Sequence, residues 1–257
     1  MMFRKIRIAI LLLILLFVGL NALTESSYPK EWRSSIQVAL YPVNADGSDA
    51  AAGYINTLQA ADFATIETFF DQQAHDYDLK LDHPFRFTLA PPLQHVPPLI
   101  NTHPSRLDIM WWSLRLRWFA WRAPTPPGPM VRIRMFLLYH DPARATSLPD
   151  SIGLQKGMLG IAHLFAADNQ RGANQVVIAH ELLHTLGATD KYDLSNNQPI
   201  YPDGFGDPDQ EPHYPQQQAE LMAGRIAISP LKAIQPDSLR QVVIGPLTAR
   251  EINWIKQ

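Results

Sequence analysis

The sequence predicts a single α+β domain behind an N-terminal targeting segment. Three observations carry this. Short apolar runs rich in β-branched and aromatic residues read as strands at 36–43, 85–89 and 131–139. Longer stretches with apolar residues every three or four positions read as helices at 58–77, 105–122 and 173–186. A chain of 257 residues with 46% hydrophobic content is long enough for one sizeable core.

The chain begins with a targeting signal. Arg4, Lys5 and Arg7 form a basic flank, and residues 8–20 are an unbroken apolar run. That run has the length of a signal-peptide core and falls short of the roughly 20 residues of a full span. Asn21, Ala22 and Leu23 extend it enough to span by tilting or by thinning the bilayer. Leu20 and Ala22 make a poor cleavage site, so residues 1–23 are expected to act as an uncleaved signal anchor. Secretion after cleavage near Ala22 is the alternative. In both cases the basic flank stays cytoplasmic and the remainder is exported. Residues 24–35 are polar and read as a short stem, leaving 36–257 as the folded domain.

Composition narrows the function. There are no cysteines, which excludes disulfides, a thiol nucleophile, a Cys-ligated zinc and a lipid-modified N-terminal cysteine. A net charge of −2 and a pI near 6.5 leave no nucleic-acid footprint.

Within the domain, the first strand has Pro42 near its end. In 58–77 the apolar positions are Ala61, Ile66, Phe69, Phe70 and Ala74. The pairs Pro91-Pro92 and Pro97-Pro98 mark a rigid loop. Ser105 caps a helix running to about Arg122, in which Leu107, Trp111, Leu114, Trp118 and Trp121 recur at helical spacing. That stripe is expected to be buried, with Arg106, Arg115, Arg117 and Arg122 at its rim. A membrane-surface or ligand-stacking role for the tryptophans is the rival reading. A Pro-rich connection leads to 131–139, which alternates and then turns fully apolar, as a central strand can. Residues 157–165 form a further strand, with His163 a cleft or surface histidine. Residues 191–218 are rich in Pro, Asp, Gly and Gln and read as a long loop. Its acids Asp193, Asp203, Asp207, Asp209 and Glu211 lack calcium-loop spacing and are expected to be solvated. A last helix at 248–256 has Thr248 and Glu251 as a capping box and packs through Ile252 and Ile255.

The chemistry is concentrated in residues 180–190, which read H-E-x-x-H-x-x-G-x-x-D. His180 and His184 lie one helical turn apart on one face, where both imidazoles reach a single Zn²⁺. Glu181 faces the same cleft and can take a proton from a metal-bound water. Val176, Ala179, Leu183 and Leu186 form the apolar stripe of this helix and leave the histidines on another face. Gly187 ends the helix, and the turn it allows returns Asp190 as a third, oxygen ligand. A fourth position stays open for water, as catalytic zinc requires.

This motif, followed by a methionine turn, resembles the metzincin metallopeptidases. Most of that family places histidine at the last ligand position. Asp190 with Tyr192 two residues later, and Glu220-Leu221-Met222-Ala223-Gly224, are similar instead to the snapalysin branch. The matching segments cover well under a fifth of the chain. The resemblance implies a zincin-like fold: a small mixed, twisted sheet on helices, an active-site helix, and a C-terminal subdomain holding the Met-turn and final helix. It implies that Met222 lies beneath the metal without binding it. It also implies that the strand at 157–165 is a sheet edge that pairs with an extended peptide. Some metzincins carry a tyrosine two residues after the turn methionine. Gly224 stands there, so oxyanion stabilisation must come from elsewhere, with Tyr192 and Arg225 as candidates.

The leading expectation is a zinc-dependent endopeptidase acting on protein or peptide substrates, with Glu181 as general base and acid. One rival takes Glu220 as the third ligand in place of Asp190. A second is a membrane-tethered binding or assembly module with a degenerate zincin fold. A third is a zinc hydrolase of a non-peptide amide, because the motif specifies the reaction and not the substrate.

Overall fold

A computed structural model of the chain describes Arg7, Leu11, Leu12, residues 32–100 and residues 104–256. The rest of the expected anchor, and the stem up to residue 31, lie outside the described residues. Among the described residues no helix is long and apolar enough to cross a membrane.

The domain is mixed α/β, consistent with the α+β expectation, with a mostly parallel five-stranded sheet and five helices among the described residues. Strands β1 (Ile36–Asn44), β2 (Phe85–Leu89), β3 (Ile133–His140), β4 (Ile152–Leu154) and β5 (Leu159–Phe165) order as β2-β1-β3-β5-β4. All neighbours are parallel except β4, which runs antiparallel to β5. Helices α1 (Asp49–Thr57), α2 (Ala64–Asp76), α3 (Arg106–Arg122), α4 (Arg171–Thr185) and α5 (Pro246–Glu251) complete it.

The central strands are apolar on both faces because helices cover both. Ala39, Tyr41, Val43, Phe136, Leu138 and Ile161 form one face and pack with Trp112, Leu116 and Ala120 of α3. Side chains alternate along a strand, so Val38, Leu40, Met135 and Leu137 turn to the opposite face. There the Tyr54 ring of α1 packs tilted against Tyr139, with centroids 5.2 Å apart, and the Phe70 ring of α2 lies 4.6 Å from that of Phe85.

Several expectations need correction. The stretch 58–77 begins with a 3₁₀ turn at Ala60–Phe63 before α2 starts, and α1 falls where no element was expected. Ser48 caps α1, its Oγ accepting from Ala51 N at 3.1 Å. Ser105 caps α3 as expected, reciprocally with Asp108. The buried face of α3 is the reverse of the expected one. Trp112, Leu116 and Ala120 are buried, while Leu107, Trp111, Leu114, Trp118 and Trp121 face solvent. Both faces of this helix are apolar, so periodicity alone could not choose between them.

The strand at 157–165 is not the edge. It starts at Leu159, and β4 pairs with its first half. Past β4, its backbone is satisfied by side chains: His163 N donates to Ser151 Oγ and Phe165 N to Asn174 Oδ1. A compact unit begins at Trp32. The Trp32 indole donates to Ile252 O at 2.9 Å and packs edge-on against Phe85.

The stretch 191–218 is less open than expected, with Tyr192–Asp193 pairing antiparallel to Gln198–Pro199 and Phe205 bridging to Ala219. The last helix is α5, capped by Gly245 with Pro246 in its first turn. Thr248 and Glu251 do not form a capping box, because both side chains serve the site described next.

Candidate metal centre

Helix α4 presents the motif. Val176, Ala179, Leu183 and Leu186 are buried as expected and fix its rotation, leaving His180 and His184 on the cleft side. The helix stops at Gly187, whose φ of +101° only glycine adopts without strain. Ala188 N bonds back to Leu183 O and Gly187 N to His184 O, each at 3.1 Å. These are the two bonds of a Schellman ending.

The reversal brings Asp190 to the histidines. Asp190 Oδ1 lies 3.2 Å from His180 Nε2 and 3.1 Å from His184 Nε2. The two Nε2 atoms are 3.0 Å apart. Ligand atoms about 2.0–2.1 Å from a tetrahedral zinc stand roughly 3.3 Å from one another, so this triangle has nearly the size of a zinc face. His180, Glu181 and His184 also offer donor atoms within 4.8 Å of one another, but the tightest set is the one with Asp190.

The histidine tautomers are locked from behind. His180 Nδ1 lies 2.9 Å from Leu221 O, and His184 Nδ1 lies 2.8 Å from Ala188 O. A carbonyl only accepts, so each Nδ1 carries its proton and donates it there. Each Nε2 is thereby left free to bind through its lone pair. Three lone-pair atoms aimed at one point repel each other unless a cation or a proton sits between them.

In the chain alone, protons answer that demand. Burial works against a charged His180, but hydrogen bonding to Asp190 and the nearby charge of Glu181 prevail and raise its pKa to about 9. Burial resists ionisation of Asp190 too, yet the two imidazoles hold it well below the usual carboxylate range. Burial pushes the Glu181 carboxyl up, against the pull of both histidines. Its Oε2 is buried and has no hydrogen-bond partner among the described residues. A buried orphan carboxylate oxygen is costly and calls for a specific cause.

Glu181 lines a cleft of about 500 Å³ together with His180, Tyr192, Arg225, Val177 and His163. His163 is a wall residue, as expected. It is buried, its Nδ1 is 2.9 Å from His140 Nε2, and burial lowers its pKa to about 4.

The turn at 220–224 sits behind the histidines, with Met222 fully buried. Glu220 cannot be the third ligand. Its Oε2 accepts from Met222 N at 2.6 Å and Ala223 N at 3.0 Å. Its Oε1 accepts from Gly245 N at 3.1 Å and Thr248 Oγ1 at 2.7 Å. Both oxygens are consumed in shaping the turn that delivers the Leu221 carbonyl to His180.

Three residues escaped the sequence reading. Glu251 accepts from Thr189 N at 3.0 Å, Thr189 Oγ1 at 2.7 Å and Lys191 Nζ at 2.7 Å. Lys191 is buried and also donates to Thr189 O, while its own N–H bonds Met222 O. Asp190 is thus held between two anchored neighbours. Nothing local in the sequence pairs Glu251 with residues sixty positions earlier, and its capping-box spacing pointed elsewhere.

Comparison with protein-family models and with curated proteins found no match to the sequence.

Proposed function

We propose that this chain is a zincin-like, zinc-dependent endopeptidase, exported and tethered by its N-terminal segment. The observation that carries the reading is the triangle of His180 Nε2, His184 Nε2 and Asp190 Oδ1, with both Nδ1 atoms locked to carbonyls and an unpartnered Glu181 beside it. This donor set of two neutral imidazoles and one carboxylate suits Zn²⁺. The resemblance of 180–190 and 220–224 to the snapalysin branch points the same way, as does an antiparallel edge strand packed beside the motif helix. β4 is that strand: a Cβ at Gly153 would lie 2.3 Å from His184 Cβ.

His180, His184 and Asp190 would hold the metal. When bound, zinc lowers the pKa of a coordinated water towards about 7 and polarises a carbonyl. Glu181 accepts the proton of the attacking water at its free oxygen and then delivers it to the leaving amine nitrogen. Asp190 brings a full negative charge where most metzincins have a neutral imidazole, which softens the Lewis acidity of the centre. Tyr192 and Arg225 line the same cleft and are the donors available to a developing oxyanion.

The test is zinc content of the purified chain beside cleavage of an unfolded protein substrate, with and without chelator. Glu181→Ala is expected to keep its zinc and lose turnover by several orders of magnitude. Persistent cleavage in that variant removes the assigned base. Zinc binding with no cleavage of any unfolded protein favours the binding module instead.

A further inference from the structure

Helix α3 is apolar on two sides. Trp112, Leu116 and Ala120 pack against the sheet. On the far side, Leu107, Met110, Trp111, Leu114, Trp118 and Trp121 are each 47–72% exposed. At about 100° per residue these six fall on a single stripe roughly 100° wide. Four arginines border that stripe as two rails. On the same helical spacing, Arg115 and Arg122 flank one side, and Arg106 and Arg117 the other.

The details fit a built face. The Trp118 and Trp121 rings lie 5.2 Å apart, and the Arg122 guanidinium sits 5.7 Å over Trp118. Arg117 donates to Lys156 O, which fixes that rail against the loop before β5. The one acid of the helix, Asp108, is engaged in capping Ser105 N. An apolar groove of about 550 Å³, lined by Leu93, Val96, Pro98 and Phe119, continues the surface beside Trp118.

We infer that this face docks on an anionic lipid surface, with α3 lying in the plane of the membrane interface. An exposed stripe of six large apolar side chains is costly in water. Half of it is tryptophan, the residue that settles at the headgroup boundary. Rails of arginine on both borders place guanidinium groups at phosphate level, where their long side chains reach outwards while the stem stays apolar. A second copy of the chain fits less well. A two-fold contact through this stripe sets arginine rails against arginine rails, with no acid free on the helix to compensate.

The absence of cysteine makes the test clean. In the full chain, reconstituted into vesicles, Leu114→Cys, Trp121→Cys and Leu231→Cys each carry one environment-sensitive fluorophore. Leu231 is 91% exposed and off this helix, so it serves as the reference position. In phosphatidylcholine vesicles containing phosphatidylglycerol, the labels at 114 and 121 shift to apolar emission and are quenched by lipid-borne spin labels. The label at 231 does neither. Replacing Arg106, Arg115 and Arg122 by glutamine weakens docking about 100-fold at low ionic strength, at roughly fivefold per arginine. Aqueous emission at 114 and 121 on anionic vesicles overturns the inference. So does equal insertion of the label at 231. An apolar shift in lipid-free protein that grows with protein concentration also overturns it, because a second copy then covers the face.

Discussion

Removal of the Glu251 side chain tests the idea that Asp190 is held from outside the motif. In Glu251→Ala the Lys191 ammonium, buried at 4% exposure, loses its 2.7 Å counter-charge. Breaking a buried pair from one side costs about 3–5 kcal/mol. Glu251 is itself 20% exposed, so water relieves part of this, and about 2–4 kcal/mol is the expected loss. Against a domain stability of about 5–15 kcal/mol the variant folds but unfolds at clearly lower urea. Thr189 also loses its two bonds to Glu251 and keeps only those from Lys191 Nζ, so Asp190 is held less firmly and zinc affinity falls about 10–100-fold. Burial raises the pKa of Glu251, but Lys191 and Thr189 outweigh it and hold it below its ordinary 4.5. A carboxylate with a depressed folded pKa stabilises the fold above its unfolded value, and that contribution is lost as pH falls through the folded value. The native protein therefore loses stability at the acid end more steeply than Glu251→Ala does. Urea titrations across pH, zinc competition with a chelator, and a double-mutant cycle with Lys191→Met measure all three effects. An unchanged urea midpoint with unchanged zinc affinity refutes the reasoning. A coupling with Lys191→Met below about 0.5 kcal/mol, within ordinary additivity, refutes the ion-pair part of it.

Other substitutions probe the remaining contacts. Glu220→Ala strands the Met222 and Gly245 N–H groups and the Thr248 hydroxyl, while Ala223 N keeps the residue 220 carbonyl, a loss of at least about 3 kcal/mol, yet its folded fraction keeps stoichiometric zinc by metal analysis. Asp190→Ala is expected to do the opposite, folding by circular dichroism while losing zinc. Gly187→Ala places a Cβ at φ +101° and 2.4 Å from Gln155 Nε2, and its thermal midpoint should report a loss of about 1–2 kcal/mol. On α3, Leu116→Ala costs about 2–5 kcal/mol, whereas Trp118→Ala changes lipid-free stability by less than about 0.5 kcal/mol, which separates the buried face from the exposed one.

Much of the site was legible because its parts are local. Helical spacing put His180 and His184 on one face, the apolar stripe fixed the helix rotation, and Gly187 marked the turn that returns Asp190. What escaped was long-range. Glu251 lies sixty residues from Lys191 and Thr248 twenty-eight from Glu220, and their spacing imitated a helix cap. Glu220 offered itself as a ligand until four donors were seen to occupy it. The strands of the central sheet were legible from their apolar runs, but β4 is three residues long and gave no periodic signal. In α3 the pattern failed for a physical reason. Periodicity finds a buried face only when the other face is polar, and here both sides are apolar.

The chain order of these contacts also sets a schedule. Helix α4 and its two imidazoles are complete once residue 185 has been made. The lock on Asp190 comes from Glu251, and Thr248 completes the turn behind His180. During synthesis the donor triangle therefore has no fixed shape until residue 251 has emerged. A half-made chain carries the histidines but not the geometry that sets Asp190 beside them.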